Sequence, residues 1–177
     1  MPLPTRPSHL IEAATYQREI AANLDRAWEN VLDWEHLTWV HSSSFSDLEF
    51  EDAGDWGWRV KLGADKNVVE LTTDRPNERY VSRTLSGPGK GTEVWTYFMP
   101  LAPHRTQVNV AFWLNSALGE EKAKKVGQSY IKHYTLLWNE DEEMMVERQR
   151  QIDRAAAGTK QGMLTLGPES SASSVPP

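Results

Sequence analysis

Glu29-Asn30-Val31-Leu32-Asp33-Trp34-Glu35-His36-Leu37-Thr38-Trp39-Val40-His41 places two imidazoles five positions apart, with a carboxylate three positions before the first. Neutral imidazole nitrogens are metal ligands, and a nearby carboxylate can fix the orientation of a ring. On an ideal helix at ~100° per residue, Asp33 and His36 share a face, whereas His36 and His41 are roughly 140° apart. A continuous helix therefore cannot aim both rings at one point. The spacing predicts a π-type turn or a break near Leu37 to Val40, the kind of distortion found at functional sites. A third ligand must come from elsewhere in the chain.

Outward from this stretch, composition sets the limits. The chain has 177 residues, enough for one domain with its own core, and a net charge of −6 with dispersed basic residues, which argues against a nucleic-acid groove. The opening MPLPTRP holds three prolines and no apolar run, so it reads as neither signal peptide nor membrane anchor. From Gly158 the sequence turns to Gly, Ser, Thr and Pro, a composition that does not order itself. The expected organisation is a tail over 1–11, a folded domain over 12–157 and a second tail over 158–177. There is no cysteine, which excludes disulfides, a thiolate nucleophile and any Fe-S cluster held by these residues. A cytoplasmic location is the expectation.

Ala14 to Ala21 alternates as an edge strand. Asn23 fits a helix N-cap, with Leu24, Trp28, Val31 and Leu32 at helical spacing behind it. From Ser44 the period becomes two: Leu48 and Phe50, then Trp56, Trp58, Val60 and Leu62, then Val69 and Leu71. Tyr80 to Leu85, Thr92 to Met99 and Gln107 to Leu114 are further strands. The Ser86-Gly87-Pro88-Gly89-Lys90-Gly91 loop precedes a strand and lacks a Gly-Lys-Ser/Thr ending, so it reads as a hairpin turn rather than a phosphate cradle. Even spacing of this kind indicates one antiparallel meander.

Gly119 to Ala157 reads as one long helix, which must bury a stripe against the concave face of a curved sheet. Val126, Tyr130, Ile131, Tyr134, Leu137, Trp138, Met144 and Met145 mark that stripe, and Asp141 projects near its centre. A lone buried carboxylate is costly. Either an arginine such as Arg18 or Arg59 pairs with it, or it joins two histidines in a facial triad of the kind that holds non-haem Fe(II).

The run ENVLDWEHLTWVH resembles the Glu-Asn-x-x-Asp-x-x-His-x4-His motif of the catalytic domain of Rieske non-haem iron oxygenase α subunits, with every fixed position present. WNEDEEMMVERQRQ is similar to the acidic helix that supplies their third iron ligand. The resemblance implies an α+β helix-grip fold of the START/Bet v 1-like (SRPBCC) superfamily, a curved antiparallel sheet of about six to seven strands on a long C-terminal helix. It implies Fe(II) held by His36, His41 and Asp141, with Glu142 as the alternative third ligand. It further implies Asp33 as the carboxylate hydrogen-bonded to a ligand histidine, a trimeric assembly and electrons passed in from a cluster. The 177 residues contain neither the Rieske domain of that family nor its cysteines, so electrons would come from a ferredoxin-like donor.

Eight tryptophans are many for this length, and aromatic walls suit a flat apolar ligand in the cavity between sheet and helix. The expected substrate-binding residues are Trp39, Trp58, Tyr97, Trp113, Tyr134 and Leu137, with Phe98 and Met99 as further candidates. Alternation puts Trp113 on the opposite face from Phe112 and Leu114, so only part of this set can share one cavity. His133 reads as a core-margin residue. Three functions fit these residues: an iron-dependent oxygenase acting on an aromatic or apolar small molecule; a metal-independent cyclase, dehydratase or lyase of the polyketide-cyclase type; and a non-catalytic carrier of a hydrophobic ligand.

Overall fold

The computed structural model describes residues 9–45 and 47–165, with side chains through Gly158. β1 (Leu10–Ile20) leads into α1 (Leu24–Leu32), and a 3-10 turn at Glu35–Thr38 follows. Then come β2 (Leu48–Gly54), β3 (Gly57–Leu62), β4 (Asn67–Asp74), β5 (Arg79–Thr84), β6 (Glu93–Ala102) and β7 (Arg105–Asn115), and α2 (Glu120–Thr165) closes the order. The seven strands form one antiparallel sheet in the order β1-β7-β6-β5-β4-β3-β2. Consecutive strands from β2 to β7 are hairpin neighbours, and β1 returns to pair with β7 at one edge. This is the helix-grip arrangement, an α+β fold in which the curved sheet wraps α2.

Strict alternation defines the inner face. Along β7, Thr106, Val108, Val110, Phe112 and Leu114 are buried while the residues between them are half-buried. Against these pack Trp28 and Val31 of α1 and Trp138 and Met145 of α2. Each large side chain fully buried in this way contributes roughly 1.5–3 kcal/mol relative to exposure. Gly127 allows the close approach of α2 to β1: a Cβ there would sit 2.5 Å from the Ala13 carbonyl oxygen and 2.8 Å from the Ala14 Cβ. The glycine-rich loop is the β5–β6 hairpin connection, in the middle of the strand order. Gly87 takes φ +79° beside the Asn67 amide, where a Cβ would meet Asn67 Oδ1 at 1.6 Å.

Several boundaries differ from the sequence reading. β1 begins at Leu10, because Leu10 and Ala13 find buried places opposite β7. Trp56 belongs to the β2–β3 turn rather than to β3. α2 continues to Thr165, past the expected end at Ala157. The segments 1–8 and 166–177, which hold most of both expected tails, lie outside the described residues. No helix among the described residues is long and apolar enough to cross a membrane.

Candidate functional site

The two histidines reach one point because the helix that precedes them stops early. Asn23 caps α1, accepting from the Arg26 N–H at 2.9 Å, and α1 ends at Leu32. Asp33 then leaves helical geometry at φ −84°, ψ 86°. One break thus falls at Asp33, ahead of the expected window, and a 3-10 turn over Glu35–Thr38 carries His36 and ends within the expected Leu37 to Val40 window. A second turn begins at His41, whose carbonyl accepts from the Phe45 N–H at 2.8 Å. The rings lie 5.1 Å apart between centroids and inclined by 71°. Both are buried, His36 at 4% and His41 at 1% exposure.

From α2, Asp141 meets them. Its Oδ1 lies 2.9 Å from His41 Nε2 and 3.4 Å from His36 Nε2. The three ligating atoms lie within 4.8 Å of one another, and all three residues are buried. Cis ligands at ~2.1 Å from one ion are about 3 Å apart, which the two carboxylate distances bracket. Asp141 Oδ1 is fully buried and makes no aligned hydrogen bond. An orphaned carboxylate oxygen facing two imidazole nitrogens is the donor set of a single metal ion, and the residues fit one. The cluster is facial-triad-like. Neither arginine considered for Asp141 is near it: Arg18 pairs with Glu142, and Arg59 with Glu70. Glu142 also accepts the Ala21 N–H at 2.6 Å, so it is fully engaged away from the histidines.

The parts behind the rings differ from expectation. The Asp33 carboxylate accepts from the N–H groups of Glu35 and His36 at 3.1 and 3.3 Å, acting as the cap of the 3-10 turn. It is the Asp33 backbone carbonyl that contacts His36 Nδ1. Ending α1 at Leu32 turns the side chain along the next turn instead of toward a ring. The carboxylate behind a ligand histidine is Glu140, whose Oε2 lies 2.7 Å from His41 Nδ1. Sequence reasoning missed Glu140. The available signal was its position one residue before Asp141 and seven after His133, on the flank of the same helix face.

These contacts set the local charge. Burial pulls the His41 imidazole down, but the adjacent Asp141 and Glu140 carboxylates outweigh it and hold the pKa above the ordinary histidine value. Burial also works to raise the Asp141 carboxyl, yet the two imidazoles hold it below the ordinary carboxylate range. His133 is pushed down by burial and by His41.

Beside the triad lies a cavity of about 220 Å³, with His36 and Asp141 in its wall. Trp58, Leu71 and Val94 on the sheet and Tyr134, Leu137 and Trp138 on α2 supply apolar surface, and Asn30 adds a buried amide oxygen with no hydrogen-bond partner. Ser82, Thr84, Thr92, Tyr130 and His133 contribute polar groups. Trp58, Tyr134 and Leu137 are therefore cavity residues. Trp39, Tyr97 and Trp113 are not. Trp39 is 69% exposed on the turn between the histidines, beside a surface groove with Leu32 and Ile152. Tyr97 and Trp113 point to the opposite sheet face, where Trp113 packs on Trp95, because alternation gives the inner face to Thr96, Phe98 and Phe112. Phe98 is buried among Trp28, Tyr80 and Trp138, and Met99 is exposed.

No protein-family model matches the sequence, and no curated protein matches it. Solved structures do. The Zhui aromatase/cyclase from Streptomyces sp. R1128 is 14% identical over 79% of this chain and 96% of its own, with a TM-score of 0.63. A START superfamily protein from Mycobacterium smegmatis is 15% identical over 79% of this chain and 99% of its own, at 0.58. The quaternary ammonium Rieske monooxygenase CntA, in complex with an inhibitor, is 16% identical over 82% of this chain and 40% of its own, at 0.59. At such identities the likeness is one of fold, and it establishes the START/Bet v 1-like helix-grip topology. The chain spans two-fifths of the Rieske enzyme.

Proposed function

We propose that the chain is a mononuclear non-haem iron oxygenase domain acting on an aromatic or similarly apolar small molecule, with electrons supplied by a separate protein. The observation that carries this reading is the buried Asp141 Oδ1, left without a hydrogen bond while facing two imidazole nitrogens at the wall of an apolar cavity. His36, His41 and Asp141 would hold Fe(II). When bound there, such an ion supplies redox activation of O2.

The chain's own residues prepare that chemistry. Glu140 accepts the Nδ1 proton of His41, and the Asp33 carbonyl accepts that of His36, so in its neutral form each ring leaves Nε2, the nitrogen facing Asp141, as the one that would bind an ion. Trp58, Tyr134 and Trp138 line the cavity and would present flat apolar surfaces to a ring. With no cysteine in these residues to hold a cluster, the reading requires a ferredoxin-type donor, and a trimer and a cytoplasmic setting accompany it as expectations.

The test is anaerobic purification, loading with Fe(II), and supply of NADH, a ferredoxin and its reductase with a panel of aromatic compounds. O2 uptake coupled to an oxygenated product is the expected result. Absence of O2 uptake by metal-loaded protein with every donor contradicts the reading.

A second reading follows from His41, which lies between the Glu140 carboxylate at 2.7 Å and the Asp141 carboxylate at 2.9 Å, neighbours that favour its protonated form. In a fold shared with an aromatase/cyclase, the His41 imidazole would serve acid-base catalysis of a cyclisation or dehydration. Turnover by rigorously metal-free protein favours it over the first.

A further inference from the structure

Apolar side chains make most of the cavity wall, and its polar groups include two sets set apart along α2. Asp141 and His36 stand at one end. Tyr130, which lies three helical turns earlier on α2 and roughly 16 Å away along the axis, lines the cavity with Thr92 at the other. Thr84 N–H donates to the Thr92 carbonyl at 3.0 Å, and Ser82 lies on the same inward face of β5. Three hydroxyl side chains on adjoining strands thus gather at the end remote from the triad.

No lysine or arginine lines the cavity. Arg83, between Ser82 and Thr84, turns to the opposite face and pairs with Glu93, and Arg79 pairs with Asp74. In the metal-free chain a ligand carboxylate would meet no lysine or arginine and would share the cavity with the Asp141 carboxylate. A hydroxyl, by contrast, can donate to or accept from any of the three side chains. Size narrows the choice further: an apolar cavity of about 150 Å³ holds benzene, so about 220 Å³ holds one ring with a short substituent.

We propose that the cavity takes an uncharged phenol-type molecule with one ring and a short apolar arm. Its hydroxyl lies among Ser82, Thr84 and Thr92, its ring lies against Trp58, Tyr134 and Trp138, and its arm points toward Asp141. This assignment rests on the cavity being the substrate site of the proposed oxygenase.

The experiment is calorimetric titration of the metal-free full chain at pH 7 with 4-ethylphenol, ethylbenzene and 4-ethylbenzoate. The phenol is expected to bind about 3- to 10-fold tighter than ethylbenzene, the range of one net neutral hydrogen bond. The benzoate is expected to bind at least roughly 100-fold weaker than the phenol, as an unpaired buried charge requires. Thr84→Val with Ser82→Ala should bring the phenol-to-ethylbenzene ratio toward one. Thr92→Val provides the same comparison should that double variant not fold. Benzoate binding as tight as the phenol, an unchanged ratio in the folded variant, or no binding of any of the three overturns the assignment. Fe(II) titration of the same preparation separates the two readings. Metal binding without ligand selectivity overturns this assignment alone, and selectivity without metal binding overturns the oxygenase reading alone.

Discussion

Glu140 holds the His41 ring from behind, with its Oε2 2.7 Å from Nδ1, while the other ring nitrogen faces Asp141. Adjacent residues of α2 thus address opposite edges of one imidazole. Glu140→Ala is expected to lower Co(II) affinity by about 10- to 100-fold, the usual effect of losing a carboxylate behind a ligand histidine. Glu140→Gln, which keeps an acceptor oxygen, should retain most of it. Spectrophotometric Co(II) titration reads both. Equal affinity in wild type and Glu140→Ala removes the role.

The pH dependence of the metal-free protein follows from the same ring. His41 is raised above 6.5, so its stabilising contribution is complete below that value and disappears as pH climbs through the raised pKa. Asp141 is held below 3.8, so its contribution is complete above that value and disappears as pH falls through the depressed one. Urea midpoints should therefore decline on both sides of this window. Metal must displace the His41 proton, so Co(II) affinity should increase with pH until His41 is neutral. An affinity that is flat across this range contradicts a shared site.

Asp33 caps the 3-10 turn through its side chain and contacts His36 only through its backbone. Asp33→Asn, which keeps a capping oxygen, should leave Co(II) affinity within about twofold and stability within roughly 0.5 kcal/mol. A loss of more than tenfold in metal affinity would show that the carboxylate charge acts on the site itself.

Gly127→Ala places a methyl group 2.5 Å from the Ala13 carbonyl oxygen, which the helix cannot accommodate without moving from β1. Overpacking of this kind costs about 1–3 kcal/mol. Urea unfolding measures it, and a variant as stable as the wild type would show that α2 slides freely.

Much of this was legible in the chain. The period-two runs after Ser44 and the apolar stripe from Val126 to Met145 gave the meander and its helix, since each element must bury one face. The position of Asp141 at the centre of that stripe favoured it over Glu142, which stayed open as the alternative and which the structure finds on Arg18. What the chain could not reveal depended on how elements meet. The stop of α1 at Leu32 turned the Asp33 side chain away from the rings, and Glu140 reaches His41 only once α2 crosses the turn after α1. Trp39 and Tyr97 have the chemistry of cavity walls but lie on the wrong faces, an outcome decided by turn geometry and strand register rather than residue type.

The most direct measurement is anaerobic Fe(II) titration of the metal-free chain and of His36→Ala, His41→Ala and Asp141→Ala, with far-ultraviolet circular dichroism confirming that each is folded. One iron per wild-type chain, reduced by at least roughly 100-fold in affinity in each folded variant, is the expected result. Wild-type protein that binds no iron, or folded variants that bind it as well as wild type does, would contradict the metal centre.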